Sequence, residues 1–353
     1  MNTRNVPINI VRDAGFGGDK LALINGDARA ALLPSVVAVG QLRGAQLSTG
    51  LKRGRRAAQP LQVQFDVYQY LAGPNVHQHA RPIERLDFSR LGDGPEQQAL
   101  FYGNLWQLLG AGKHSINLLV ALPVEVLRDA KLTASIRAKL RAQMVGRHQF
   151  TVNGETLTVI INQVKTMAQP LGSFFNWGMD NTGRWNKKSS PHALHAIADI
   201  GFNTVDLFVV ENAQINDRYT AGDTVGMRRA NAVIRGAVRD AYGVRLSMYE
   251  ADNLIRSYLR KKRTELHHAG GTSDLRAMIE QALASVTGEI TSFLSDTWGS
   301  GNQFSRMILT GGGAEALRDD LLRLYPHAVV MDNAQMANAV GLAKYAQRKS
   351  VFK

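Results

Sequence analysis

Two short stretches of this 353-residue chain carry the residue types that phosphate chemistry needs. One is Asp13-Ala14-Gly15-Phe16-Gly17-Gly18-Asp19-Lys20. The other is Asp199-Ile200-Gly201-Phe202-Asn203-Thr204. They share the pattern Asp-x-Gly-Phe-x-x-x-charged-Leu, which ends at Leu21 in one and Leu207 in the other, 186 residues apart. Such self-similarity marks a duplicated unit. In each copy an Asp closes an apolar strand pattern and a Gly follows two residues on. Glycine permits a positive φ and a close approach of backbone to ligand, and successive N–H groups in a turn of this kind can cradle a phosphate. A carboxylate repels phosphate, so the two Asp residues suit Mg²⁺ or its bound water. Two hairpins of this type would clamp a nucleotide polyphosphate from both sides. Either turn alone is commonplace; the pair carries the argument.

The elements that must position these turns follow from hydrophobic periodicity. Residues 6–23 predict strand, tight turn, strand, and residues 196–210 predict the same again. Between them, residues 34–98 are irregular and proline-rich, with a basic run Lys52-Arg53-Gly54-Arg55-Arg56, and predict a small inserted subdomain. Residues 95–109 have helical spacing. A continuous apolar run at 116–122, closed by Pro123, predicts a buried strand, and 124–144 predicts one helix. Asn153-Gly154 between two alternating runs predicts a hairpin. In the second half, helices are expected at 222–240, 247–263 and 274–297. A short strand at 307–309 should run through Gly311-Gly312-Gly313 into a helix from Ala314. A last helix is expected from about 335. The alternation predicts an α/β fold with a first domain over 1–191, completed by the C-terminal helix 335–353, and a second over 192–334.

Composition narrows the field. Lys and Arg number 42 against 29 Asp and Glu, a net charge of +13, which favours polyanions or anionic partner surfaces. The absence of Cys excludes disulfide scaffolds, thiolate zinc sites, iron–sulfur clusters and cysteine nucleophiles. No stretch approaches about 18 apolar residues, the length a spanning helix needs, and no leader pattern opens the chain, so no membrane partner and a cytoplasmic location are expected.

With these motifs in order along nearly the whole chain, the sequence resembles the actin-like ATPase superfamily, and within it the bacterial and archaeal actin-like proteins of the plasmid-segregation (ParM, StbA) type. The resemblance implies two duplicated α/β domains, each with an inserted subdomain, and a nucleotide cleft between them. It assigns Asp13 through Lys20 to a first phosphate loop, with Lys20 at the family's offset from the Asp. It makes Pro34-Ser35-Val36-Val37 similar to the segment that follows the first strands. Residues 164–172 resemble the first connecting segment, with Gln169 at the catalytic position. Asp199 through Thr204 would be the second phosphate loop, Glu250 would contact the ribose, and Gly311, Gly312 and Gly313 would form the adenosine loop. Ala337-Asn338-Ala339-Val340-Gly341 resembles the second connecting segment, where small residues let two helices cross.

On this footing the cofactors are ATP, with GTP as the alternative, and Mg²⁺ held through water by Asp13 and Asp199. The implied activity is slow ATP hydrolysis coupled to polymerisation, with Gln169 orienting the attacking water as in small GTPases. Gln stands where ParM itself carries Glu, and Phe16 where actins favour a small hydroxyl residue. The implied partners are further copies of the chain in a filament and a DNA-bound adaptor. Arg260-Lys261-Lys262-Arg263 and the run at 52–56 are the candidate direct polyanion contacts, against a plain reading of each as a solvated face. A cytoskeletal relative without DNA cargo, a small-molecule kinase and a chaperone ATPase are the alternatives; Gln169 counts against the kinase and chain length against the chaperone. His77 and His79, His192 and His195, and His267-His268 read as solvated loop residues, and Gly110-Ala111-Gly112-Lys113-His114 fails as a P-loop because it precedes a strand.

Overall fold

The computed structural model describes residues 6–24, 29–42, 58–84, 94–188, 190–212 and 214–352. The basic run at 52–56 lies outside the described residues. The chain divides into two compact units. Unit 1 comprises Met1–Leu122, Val126–Ala168 and Ala343–Lys353, and unit 2 comprises Pro123–Glu125 and Gln169–Leu342.

Unit 1 is built on one nine-stranded sheet. Its strands are β1 (Ile8–Ala14), β2 (Gly18–Leu23), β3 (Ala30–Pro34), β4 (Val37–Val39), β5 (Leu61–Phe65), β6 (Tyr68–Ala72), β7 (Gly112–Leu122), β8 (Gly146–Val152) and β9 (Glu155–Ala168). The order is β3-β2-β1-β7-β9-β8-β5-β6-β4. Within the stretch expected as an inserted subdomain, β5 continues the sheet by pairing with β8 through Val63 opposite Val152 and Gln64 opposite Thr151. Helix α1 (Pro95–Leu109) begins on a proline, whose fixed φ suits the first helical position, and buries Leu100, Phe101 and Leu105 in the unit's core. The single helix expected over 124–144 is two: α2 (Val124–Arg128) and α3 (Ala130–Met144). Asp129 breaks them, because its carboxylate accepts from the N–H groups of Lys131 and Leu132 and so starts a new helix. The Asn153-Gly154 turn forms as expected, both residues at positive φ, 52° and 87°.

Unit 2 holds a six-stranded sheet. It contains α4 (Gln169–Gly178), β10 (His195–Ile200), β11 (Val205–Glu211), β12 (Gln214–Ile215), β13 (Ala221–Asp223), α5 (Arg228–Tyr242) and α6 (Met248–Leu259). There follow β14 (Glu265–His268), β15 (Gly271–Asp274), α7 (Arg276–Trp298), β16 (Arg306–Thr310), α8 (Gly311–Ala316), α9 (Arg318–Leu324), β17 (Val329–Val330) and α10 (Ala337–Lys349), whose residues from Ala343 on belong to unit 1. The segment 169–191, expected with the first domain, belongs to unit 2. The stretch 222–227, expected as helix, is the end of β13 and a turn, and residues 265–273, expected between helices, lie in the β14–β15 hairpin, which also takes Asp274 from the expected helix.

The duplication is visible in the strands. In unit 1, β1 pairs antiparallel with β2 and parallel with β7. In unit 2, β10 pairs antiparallel with β11 and parallel with β16. Both β1 and β10 sit inside their sheets and are apolar where the sheet is covered: Ile10 and Val11 in one, Ala196, Ile197 and Ala198 in the other, all 0% exposed. A strand so enclosed fixes its C-terminal end, and that end is where each Asp stands.

Candidate functional site

Each motif is a tight turn between paired strands, and the two turns are closed by the same bond. Gly15 N–H donates to the Gly18 carbonyl at 3.1 Å, and Gly201 N–H to the Thr204 carbonyl at 2.8 Å. Positive φ was the expected reason for these glycines, but neither is among the positive-φ residues. Close packing is the reason instead. A Cβ on Gly15 would lie 3.0 Å from the Gly18 carbonyl oxygen and 3.2 Å from Lys20 Nζ, and one on Gly201 would lie 3.2 Å from the Thr204 carbonyl oxygen.

The carbonyls of both turns are tied back into their own units. In unit 1 the Ser35 hydroxyl donates to the Gly15 carbonyl at 2.7 Å and Ser35 N–H to that of Gly17 at 3.4 Å. In unit 2 the start of α5 does the same work: Met227 N–H donates to the Gly201 carbonyl and Arg228 N–H to the Phe202 carbonyl, at 3.2 and 2.7 Å. Across a trans peptide the carbonyl and the next N–H point in opposite directions. Anchoring Gly201 and Phe202 carbonyls on α5 therefore turns the N–H groups of Phe202 and Asn203 away from it. Those N–H groups, and that of Thr204, make no hydrogen bond within the described residues. Three adjacent unbonded N–H groups are the concave donor set that anions occupy.

The acidic residues divide by copy. In unit 1, Asp13 is directly opposite Lys20, and their side chains pair at 2.8 Å in a nearly solvent-free setting. Lys20 was expected on phosphate and Asp13 on metal; here they hold each other. Only Oδ2 of Asp13 is used, and Oδ1 is buried with no partner. A buried carboxylate oxygen left unbonded is costly and suits a hydrated cation. Among the described residues no three His, Cys, Asp or Glu gather to hold a metal. A hard ion that keeps most of its waters and takes few protein ligands, as Mg²⁺ does, fits this donor set.

On the other face of the same strands, Arg12 Nε pairs with Asp19 at 2.7 Å, both 1% exposed. Asn104 of α1 donates to the Asp19 carboxylate and carbonyl, and the Arg12 guanidinium lies over Phe101, 4.6 Å from the ring centre. This network latches α1 beneath the first turn.

In unit 2, Asp199 faces Asp206 rather than a lysine. Burial, and next the charge of Asp199, push the Asp206 carboxyl up to about 7, against a downward pull from the Thr204 hydroxyl. That hydroxyl donates to Asp206 Oδ2 at 3.1 Å, so Thr204, expected to bind cofactor, bonds its neighbour. Asn203 is 3% exposed with its Oδ1 unpartnered. Phe202 packs its ring on the unit 2 core and offers the turn only its backbone.

Gln169, the first residue of α4, places Nε2 3.4 Å from Asp199 Oδ2. The same oxygen receives a 2.6 Å bond from Asn338 Nδ2 on α10. Asn338 Oδ1 in turn lies 2.7 Å from the Ser173 hydroxyl, which is 2.9 Å from the Thr310 hydroxyl. Ser173, Thr310 and Asn338 are all buried, and the chain Asp199–Asn338–Ser173–Thr310 fixes the orientation of the Asp199 carboxylate. None of the three was expected as a site residue. The available signal was Asn338 itself, one amide among small apolar residues, which must find a buried partner. α4 and α10 cross where Gly172 meets Gly341: a Cβ on Gly341 would overlap the Gly172 carbonyl oxygen. The small residues of this segment thus serve the close helix crossing expected of them.

Three expectations change. The glycines after β16 are not a loop: they form the first turn of α8. Gly311, at φ 86°, and Gly313 are pressed against Ile200, and a Cβ on either would overlap it. Only Gly312 faces open space. Glu250, expected on the ribose, completes a capping box at the start of α6. Its Oε2 accepts from Ser247 N–H and lies 2.8 Å from the Ser247 hydroxyl, which accepts from Glu250 N–H. The Ser-x-x-Glu spacing announces that role. His195, expected in a solvated loop, is fully buried on β10 against Phe174, Trp177 and Trp185, and burial lowers its pKa.

Comparison with known proteins agrees with this architecture. Residues 12–172 match the family described as actin like proteins, N terminal domain. Residues 197–323 match the family described as archaeal actin homologue MreB-like, C-terminal. No curated protein matches the sequence. Among solved structures, a non-polymerisable quadruple mutant of pCBH ParM is 18% identical, with a TM-score of 0.77 over 97% of this chain and 100% of that one. The 15-stranded ParM filament from Clostridium botulinum is 18% identical, with a TM-score of 0.75 over 97% and 99%. The archaeal actin homolog Ta0583 in complex with ADP is 15% identical, with a TM-score of 0.69 over 97% and 99%. At these identities the likeness is one of fold.

Proposed function

This chain belongs to the actin-like proteins, and from that premise we propose that it is a nucleotide-dependent filament former that hydrolyses ATP slowly. The observation that carries the reading is the duplicated turn: the same closing bond in both copies, unbonded N–H groups in the second and an unpartnered buried carboxylate oxygen in the first. The backbone N–H groups of Phe202, Asn203 and Thr204 would hold phosphate oxygens. Lys20, paired with Asp13, would bring its ammonium charge to the phosphates. Asp13 Oδ1 and the Asp199 carboxylate would take the water shell of Mg²⁺. Magnesium, when bound, supplies neutralisation of phosphate charge. Gln169 would orient the attacking water through its amide, which accepts and donates but does not take a proton. Gly312 would face the nucleoside.

The related filament structure supports self-association. Attachment to plasmid or other mobile DNA through a DNA-bound adaptor, in the cytoplasm, is the task this reading assigns.

The test is right-angle light scattering of the purified chain with ATP and Mg²⁺, followed alongside phosphate release. Scattering should rise on nucleotide addition and decay as phosphate appears. Gln169→Ala should slow phosphate release by about 10- to 100-fold, as loss of an orienting group does, and so prolong the scattering plateau. Bound nucleotide without any scattering rise at high protein concentration would sink the filament and turn attention to phosphate acceptors.

A further inference from the structure

The filament reading leaves the basic turn after α6 without a task. Residues 228–263 hold ten Lys and Arg against three Asp and Glu, more than half of the net charge of +13. Three of the five helical arginines in this stretch are neutralised locally: Arg229 by Glu289 at 2.5 Å, Arg239 by Asp240 at 2.8 Å and Arg256 by Asp252 at 2.6 Å. The consecutive Arg260, Lys261, Lys262 and Arg263 are not. All four are exposed. Arg263 comes no nearer than 3.8 Å to Glu265, and the other three have no carboxylate partner among the described residues.

Helix capping does not explain them. The last carbonyls of α6 are taken by backbone: Lys261 N–H donates to Tyr258 and Lys262 N–H to Ser257, each at 2.8 Å. This is the Schellman arrangement, whose left-handed residue is usually glycine. Here it is Lys261, at φ 53°. The turn thus carries a lysine at the one position where its own geometry favours glycine, beside three further cations that repel it.

We propose that the Arg260-Lys261-Lys262-Arg263 turn binds the phosphodiester backbone of double-stranded DNA, without sequence preference. Duplex DNA presents a charge about every 1.7 Å of its axis, a line of acceptors that adjacent arginine forks and lysine ammonium groups can follow. No aromatic residue interrupts the four cations, so the turn has no platform for stacking single-stranded bases. A protein partner would call for a charge-depleted, aromatic-rich patch, and four adjacent cations are the reverse of that. This inference stands apart from the ATP reading, since the turn uses no residue of the two phosphate motifs.

The experiment is fluorescence anisotropy of the full chain, without nucleotide, against a labelled mixed-sequence duplex of about 30 bp, from about 50 to 200 mM salt. Three to four phosphate contacts predict a loss of affinity of about 40- to 150-fold over that range. Lys261→Gly should lower the salt slope by about one contact while raising the thermal midpoint, because glycine suits the turn. Arg260→Gln with Lys262→Gln should lower the slope by about two, with the thermal midpoint and ADP binding unchanged. No DNA binding overturns the proposal. So does binding whose slope is the same in all variants. Equal competition by polyglutamate at matched charge overturns it too, because the partner would then be an acidic protein surface.

Discussion

Asp206 stands where Lys20 stands in the first copy of the repeat, opposite the motif's Asp, and this one exchange reverses the local electrostatics. Lys20 neutralises Asp13, whereas Asp206 confronts Asp199 and is buried as well, so its carboxyl is raised to about 7. Between about pH 4, where an unfolded Asp ionises, and about 7, the folded chain holds a proton that the unfolded chain has released. Stability from this group is therefore highest at acid pH, falls as pH climbs through that window, and is level above it. Asp206→Asn removes the penalty. Without nucleotide or magnesium it should leave the thermal midpoint at pH 4 nearly unchanged and raise stability at pH 8 by about 2–4 kcal/mol, on about 1.4 kcal/mol per pKa unit. A variant whose midpoint tracks the wild type across the range would refute the assignment. Asn338→Ala acts on the same carboxylate from the opposite direction. It strips Asp199 of its 2.6 Å donor and Ser173 of an acceptor. A lost bond to a charged group is worth about 1.5–3 kcal/mol, so Mg²⁺–ADP should bind about 10- to 100-fold more weakly, read by calorimetry.

At the scale of elements, glycines separate packing from binding. Gly341→Ala would force α10 off α4, because no space exists beside the Gly172 carbonyl. Overpacking of this kind typically costs about 1–3 kcal/mol or more, so a large fall in the thermal midpoint is expected. Gly312→Ala meets nothing and, inside a helix, should stabilise by about 0.5–1 kcal/mol while weakening nucleotide binding. Unchanged nucleotide affinity in that variant would remove Gly312 from the site. The same elements show what a sequence discloses. Strand pairs β1–β2 and β10–β11, helix α1 and the Asn153-Gly154 turn were legible because apolar period and turn chemistry are local. The capping role of Glu250 was legible too, in Ser247-x-x-Glu250, but the sequence reading took only the ribose contact that the family resemblance implies. The Asn338–Ser173–Thr310 chain was not legible. It joins residues 137 and 165 positions apart, and no local pattern announces such a meeting. The β5–β8 junction escaped for the same reason: an irregular, proline-rich stretch gives no sign of the distant edge it will extend.

For the molecule as a whole, a charge of +13 means that two copies repel before they touch. Raising salt from about 0.01 to 0.1 M shortens the reach of that repulsion from about 30 to 10 Å, so the critical concentration for nucleotide-driven assembly should fall over this range. A rise would mean that opposite charges meet where copies join. The division of the chain into units also sets a timetable. Unit 2 is nearly continuous, but unit 1 is closed by residues 343–353, where Lys165 on β9 bonds the Val351 carbonyl at 2.5 Å and lies 5.5 Å from the Phe352 ring. At a ribosomal pace of about 5–20 residues per second, β9 is made about 10–35 s before the segment that covers it. The half carrying Asp13 and Lys20 is thus begun before the other half and completed after it, since the second unit runs to Leu342 and the segment that closes the first follows it.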